Sequence, residues 1–201
     1  MTKQTWAWAV AAALCSAAAW ATTLLAADVP ALTRGADTVV RGTVTKLGSH
    51  WTGDHLRIVT EVQIEVAEAY KGAPPPAVTV VQPGGVVGDV GQAVSGLATF
   101  SEGEEVVVFL ERRPGGSFLV AGMAQGKYRV ERSSDGKEAF AVPDDTGDAL
   151  VLDPVTRAPV STGKRRPPTL VELVAAVRAA AAAPGSAPGI PARPGSFEKA
   201  P

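Results

Sequence analysis

Between residues 56 and 70 apolar and polar side chains take turns. Ile58, Thr60, Val62, Ile64, Val66, Glu68 and Tyr70 share one face, while Val59, Glu61, Gln63, Glu65 and Ala67 share the other. A period of two makes this a strand with one buried and one wet face. It is long enough that it must bend, as the second strand of a small closed barrel does. Upstream, residues 38–45 are β-branched at most positions and suit a pleated surface. Downstream, residues 78–82 read as a strand, and the unbroken apolar run within 104–111 reads as one covered on both faces. Residues 118–122, 126–132 and 138–142 complete the set.

Between them stand Lys71-Gly72-Ala73-Pro74-Pro75-Pro76, Pro83-Gly84-Gly85, Pro114-Gly115-Gly116 and Ser134-Asp135-Gly136, which cannot continue a ladder and turn the chain instead. Residues 84–96 read as a glycine-rich connection without helical period. The pattern predicts a mainly β fold, a small antiparallel OB-like β-barrel, with one C-terminal amphipathic helix.

That helix is predicted over residues 169–183. Thr169 and Glu172 fit a capping box, and Leu170, Leu173, Val174 and Val177 form a stripe at helical spacing before Pro184-Gly185. With Arg178 as its sole cation, the stripe suits docking on the barrel better than lying in a membrane interface. A shorter helical turn opens at Asp28-Val29-Pro30 and closes at Gly35.

The 201 residues hold one domain with extensions, planned around a single core. Its expected division is a signal peptide over 1–21, a β-barrel over 22–145, an extension over 146–183 that carries the helix, and a disordered Pro-, Gly- and Ala-rich tail over 184–201.

The first segment sets the expected compartment. Lys3 precedes an apolar stretch from Trp6 to Trp20, and Ala19-Trp20-Ala21 places small residues where a signal peptidase reads them; Ala19 and Ala27 offer other cuts. The chain is therefore expected to be exported, to the periplasm or the medium, without stable membrane insertion after cleavage. Cys15 leaves with the signal, so the mature chain has no thiol for a disulfide or a metal. Losing Lys3 from 19 basic residues while keeping all 20 acidic ones leaves a slightly acidic domain, not a footprint for nucleic acid.

Three segments resemble the netrin-like module, the OB-class barrel also found in tissue inhibitors of metalloproteinases. They are Ala36-Asp37-Thr38-Val39-Val40-Arg41-Gly42, Tyr70-Lys71-Gly72 at the end of the long strand, and Gly103-Glu104-Glu105-Val106-Val107-Val108-Phe109. Together with Gly122-Met123-Ala124-Gln125-Gly126-Lys127 they also resemble uncharacterised exported bacterial proteins. The resemblance implies the barrel. It does not carry over the inhibitory mechanism, which needs a cysteine at the mature amino terminus.

Few groups here offer chemistry. His50, Asp54 and His55 sit close together in what reads as a loop between the first two strands, and would be the ligands of a metal-binding protein or a metal-dependent hydrolase. A loop holding two histidines without a metal is the simpler reading. No serine lies in a nucleophile elbow. The glycines from Gly85 to Gly91 lack the Gly-Lys-Ser/Thr and the helix of a phosphate loop, and Ser161-Thr162-Gly163-Lys164 lacks its leading glycine. Lys127, Arg129 and Arg132 come nearest to a basic strip. No motif calls for a cofactor. The expected function is a non-enzymatic binding or accessory module with a protein or glycan partner outside the cytoplasm, the alternatives being the metal site and a structural envelope component docked through the Leu170–Val177 stripe.

Overall fold

A computed structural model describes residues 22–160 and 166–183. The expected signal over 1–21, Ser161 to Lys164, and the tail over 184–201 lie outside the described residues. The strands are β1 (Thr23–Leu25), β2 (Thr38–Trp51), β3 (Ile58–Lys71), β4 (Ala77–Pro83), β5 (Gly85–Val87), β6 (Val90–Gln92), β7 (Glu105–Arg112), β8 (Phe118–Val120), β9 (Lys127–Arg132), β10 (Ala139–Pro143) and β11 (Leu150–Leu152). The helices are α1 (Val29–Gly35) and α2 (Leu170–Ala182), with one 3-10 turn over Met123–Gly126.

The main sheet runs β10-β9-β7-β2-β3-β4-β8, and β8 pairs back onto β7. That last pairing closes β2, β3, β4, β8 and β7 into a five-stranded barrel. The order β7-β2-β3-β4 is a Greek key, with the fourth strand beside the first, so the architecture is that of the OB class. Closure demands that the two longest strands coil. β2 does so through register shifts at Val39/Val40, Arg41/Gly42 and Val44/Lys46 against β3. At the second of these, a Cβ on Gly42 would stand 2.2 Å from the Glu65 carbonyl oxygen, so only glycine admits the close approach.

The alternation read in β3 holds. Ile58, Val62 and Ile64 are fully buried, whereas Glu61, Gln63 and Glu65 face water. β7 explains the unbroken apolar run. Val106, Val108 and Leu110 join Val40, Val44, Val62, Ile64, Val78, Val80 and Phe118 inside the barrel. Val107 and Phe109 point the other way, into a second cluster that the single-core expectation missed. There they meet Leu32, Tyr70, Tyr128, Leu170, Leu173 and Val177.

This second core exists because β9 and β10 continue past the barrel and leave an apolar face that α1 and α2 cover. Thr169 and Glu172 form the capping box, and the stripe Leu170, Leu173 and Val177 is spent on the protein's own interior. Among the described residues no helix is long and apolar enough to cross a membrane.

Two phenols lie in this core, and burial pushes both Tyr70 and Tyr128 up to about 12. An unfolded phenol ionises near pH 10. Above that pH the unfolded chain releases protons that the folded chain still holds, so stability is complete below about pH 10 and falls as pH rises towards 12. Urea midpoints measured from pH 8 to 12 are expected to show this descent, shallower in Tyr128→Phe. Equal slopes in the two proteins would refute the assignment.

Several boundaries differ from expectation. β2 extends to Trp51 rather than Thr45, because its bulges let it follow β3 along its whole length. Residues 84–96 are not a plain connection, since Gly88-Asp89 turns β5 into β6 as a hairpin. β11, beyond the expected end of the barrel region, returns to pair in parallel with β1.

Candidate binding surface

The far ends of β2 and β3 and the β5–β6 hairpin make one continuous surface. It is assembled by hydrogen bonds from short polar side chains. Ser49 and Thr60 stand opposite each other with hydroxyls 2.8 Å apart, and Thr60 Oγ1 donates to the Gly84 carbonyl at 2.7 Å. The Gly84 N–H donates to the Ile58 carbonyl at 2.8 Å, and the Ile58 N–H to Gln92 Oε1 at 2.6 Å. Gly85 rests on these hydroxyls. A Cβ there would lie 2.3 Å from Ser49 Oγ, and its φ of 135° itself favours glycine.

Between this hairpin and the segment that follows lies an open groove of about 330 Å³, walled by Leu47, Pro83, Val94, Leu97, Ala98 and Phe100. Aliphatic side chains stand out around it. Leu47 and Val94 are exposed on its walls, Val86 and Val90 on the hairpin, and Leu56 in the adjoining β2–β3 loop. Leu56 and Val86 are 71% and 68% exposed. Single apolar residues on a surface need no explanation; here four stand on two neighbouring hairpins and a fifth, Val94, just beyond.

The groove wall is held from behind by a buried cation. Lys127 is 2% exposed, and Nζ donates to Glu104 Oε1 at 2.8 Å and to the Thr99 carbonyl. It lies 3.8 Å from Asp144 Oδ1 and 4.9 Å from the centroid of the Phe100 ring. Asp144 in turn accepts from the Thr99 N–H at 2.7 Å and from its hydroxyl. One ammonium and two carboxylates thus fix residues 99–104 against β9, a desolvated arrangement that holds only while its charges face one another.

Lys127 is therefore not part of a surface basic strip, as its neighbours Arg129 and Arg132 had suggested. Those two do face water, where Arg129 pairs with Glu131 and Arg132 with Glu105. Pattern alone could not find the cluster, because Lys127 occupies a strand position indistinguishable from its exposed neighbours. The signal available was Glu104 at the mouth of a fully buried strand.

The three residues singled out for a metal are not brought together as one metal-holding group. His50 is not in a loop but on β2, across from Val59, with Nε2 3.9 Å from Glu61 Oε1. His55 occupies the left-handed region at φ 55° in the loop over residues 52–57. Asp54 serves that loop, accepting from the Thr52 hydroxyl at 2.5 Å and the Leu56 N–H at 3.1 Å. Those two bonds, the hydroxyl first, hold its carboxyl below the usual range. Among the described residues no group of three His, Cys, Asp or Glu side chains is placed to hold a metal ion. The glycines of residues 85–91 form a hairpin, and β6 is followed by irregular chain rather than a helix.

The protein is thus a closed five-stranded barrel of the OB class with a groove beside its two hairpins. Compared with known proteins, the chain matches no family model and no curated protein.

Proposed function

We propose that the chain is an exported, non-enzymatic binding or accessory module that grips a protein partner with the groove and the aliphatic rim around it. The observation that carries this is the exposure of Leu47, Leu56, Val86 and Val90 on adjacent hairpins and of Val94 just beyond them. OB-class barrels use the face of their second and third strands, and the loops beside it, for ligands. Here the same region is formed by β3, β4 and the neighbouring hairpins. An exposed rim of aliphatic rather than aromatic or charged side chains favours a protein surface over a glycan or a nucleic acid. The likeness to netrin-like modules agrees with this role but does not name the partner.

The test is capture. The chain lacking residues 1–21 serves as bait for envelope and culture fractions, and each retained protein is then purified and its affinity remeasured. In Leu47→Glu/Val94→Glu, two exposed positions receive charge without touching the core, and affinity is expected to fall at least tenfold at unchanged melting temperature. Undiminished binding by this variant would remove the groove from the proposal. Retention of glycans alone would replace the partner class, and turnover that disappears on changing His50 or His55 would end the non-enzymatic reading.

A further inference from the structure

The amino-terminal strand is tied into the fold from its first described residue. The Leu150 N–H donates to the Thr22 carbonyl at 2.8 Å, and the Ala26 N–H to the Leu152 carbonyl at 2.7 Å. Between them Thr23, Leu24 and Leu25 pair in parallel with Leu150, Val151 and Leu152. The Leu24 side chain is 8% exposed, packed where a Cβ on Gly96 would come within 3.2 Å of it. Gln125 then clasps the strand's exit from both ends of its amide. Nε2 donates to the Leu25 carbonyl and Oε1 accepts the Ala27 N–H, each at 2.9 Å. One residue later Asp28 caps α1, its Oδ1 accepting from the Ala31 N–H at 2.7 Å.

We infer that the export signal is cut between Ala21 and Thr22, so that the mature chain begins at the head of β1; this rests on the export reading above. A peptidase of this kind needs small residues at the scissile position and two before it. Ala19 and Ala21 satisfy that directly ahead of Thr22, whose carbonyl accepts the Leu150 N–H. Hydrolysis breaks the Ala21–Thr22 C–N bond, water giving its hydroxyl to the Ala21 carbonyl and a proton to the Thr22 nitrogen.

The other cuts fit the structure less well. A cut after Ala27 has Leu25 rather than a small residue two positions earlier. It would also strip β11 of its partner, leave both ends of the Gln125 amide unmatched, and turn the Asp28 amide into a cationic amine at the start of α1, against the helix dipole. A cut after Ala19 would fall inside the apolar stretch that runs to Trp20 and leave that indole on the new terminus.

The full 201-residue chain, expressed in a bacterial host and recovered separately from cytoplasm, envelope and medium, is read by intact mass and amino-terminal sequencing. A start at Thr22 in the exported fractions is expected. A start at Trp20 or Asp28 in those fractions overturns the assigned bond while leaving export intact. A start at Met1 or Thr2, with the protein found only in the cytoplasm, overturns the bond and the export reading together.

Discussion

Replacing Lys127 by methionine is expected to lower stability by about 3–5 kcal/mol, far more than loss of a surface lysine. Methionine keeps most of the volume, so the loss is electrostatic. Glu104 and Asp144, side chains each 9% exposed, would face each other across a dry space without the ammonium between them. Breaking one side of a buried ion pair costs more than the pair contributes, because the orphaned charge is left desolvated. The triple variant Lys127→Met/Glu104→Gln/Asp144→Asn removes all three charges and is expected to recover most of the loss.

Urea unfolding measures both variants. A Lys127→Met protein within about 1 kcal/mol of the parent would mean that residues 99–104 are not held by this cluster. Because Thr99 and Phe100 line the groove, the single variant should also weaken partner capture while the triple variant restores it.

The stretches 36–42, 70–72 and 103–109 lie far apart in the sequence. They meet in space as framework. Lys71 Nζ closes α1 on the Thr33 and Ala36 carbonyls, at 2.7 and 2.5 Å. Asp37 Oδ2 receives the Arg112 N–H at 2.7 Å. The Arg41 guanidinium lies 3.7 Å from both Glu68 and Glu105, and Arg178 and Arg132 continue that line of alternating charge across α2, β3, β2, β7 and β9. These residues set strand order and helix placement, and none of them lines the groove. They therefore speak to architecture and not to the groove.

What the sequence made legible follows from periodicity. β3 and α2 carried strong periods, two and about 3.6, and both stand where the pattern put them. β7 lacked a period because its two faces enter different cores, and its apolar run announced just that. β1 and β11 went unread because three-residue strands contain too little alternation to detect, and their pairing joins segments distant in the sequence. The groove was hidden for a similar reason. Val86, Val90 and Val94 have the composition of a buried strand, and only the Gly88-Asp89 reversal and the bonds from Thr60 and Gln92 turn them outward. His50, Asp54 and His55 were conspicuous as rare residues, yet conspicuousness in sequence is not convergence in space.

Gly126→Ala is expected to be the most damaging glycine-to-alanine change among the described residues. The added Cβ would sit 1.9 Å from the Ala121 carbonyl oxygen and 3.1 Å from Val120 Cγ1. Retreat of that carbonyl is blocked, because Ala121 is fully buried and its N–H donates to the Phe109 carbonyl of β7 at 2.8 Å. Nor can Gly126 move away, since it lies between Gln125, which clasps β1, and Lys127, which anchors the groove wall. Overpacking a rigid core costs about 1–3 kcal/mol and occasionally more; a contact with backbone on both sides belongs at the upper end.

Gly48→Ala is the control. It makes the same chemical change on β2 where nothing lies within 4 Å, and its stability should stay within about 0.5 kcal/mol of the parent. Because Gly126 also positions both its neighbours, its variant should lose β1 protection in hydrogen exchange at Leu24 and Ala26 before the barrel strands open. If Gly126→Ala unfolds at the same urea concentration as Gly48→Ala, the close approach of the Gly122–Lys127 turn to Ala121 is wrong, and with it the claim that one short turn fastens both the amino-terminal strand and the groove.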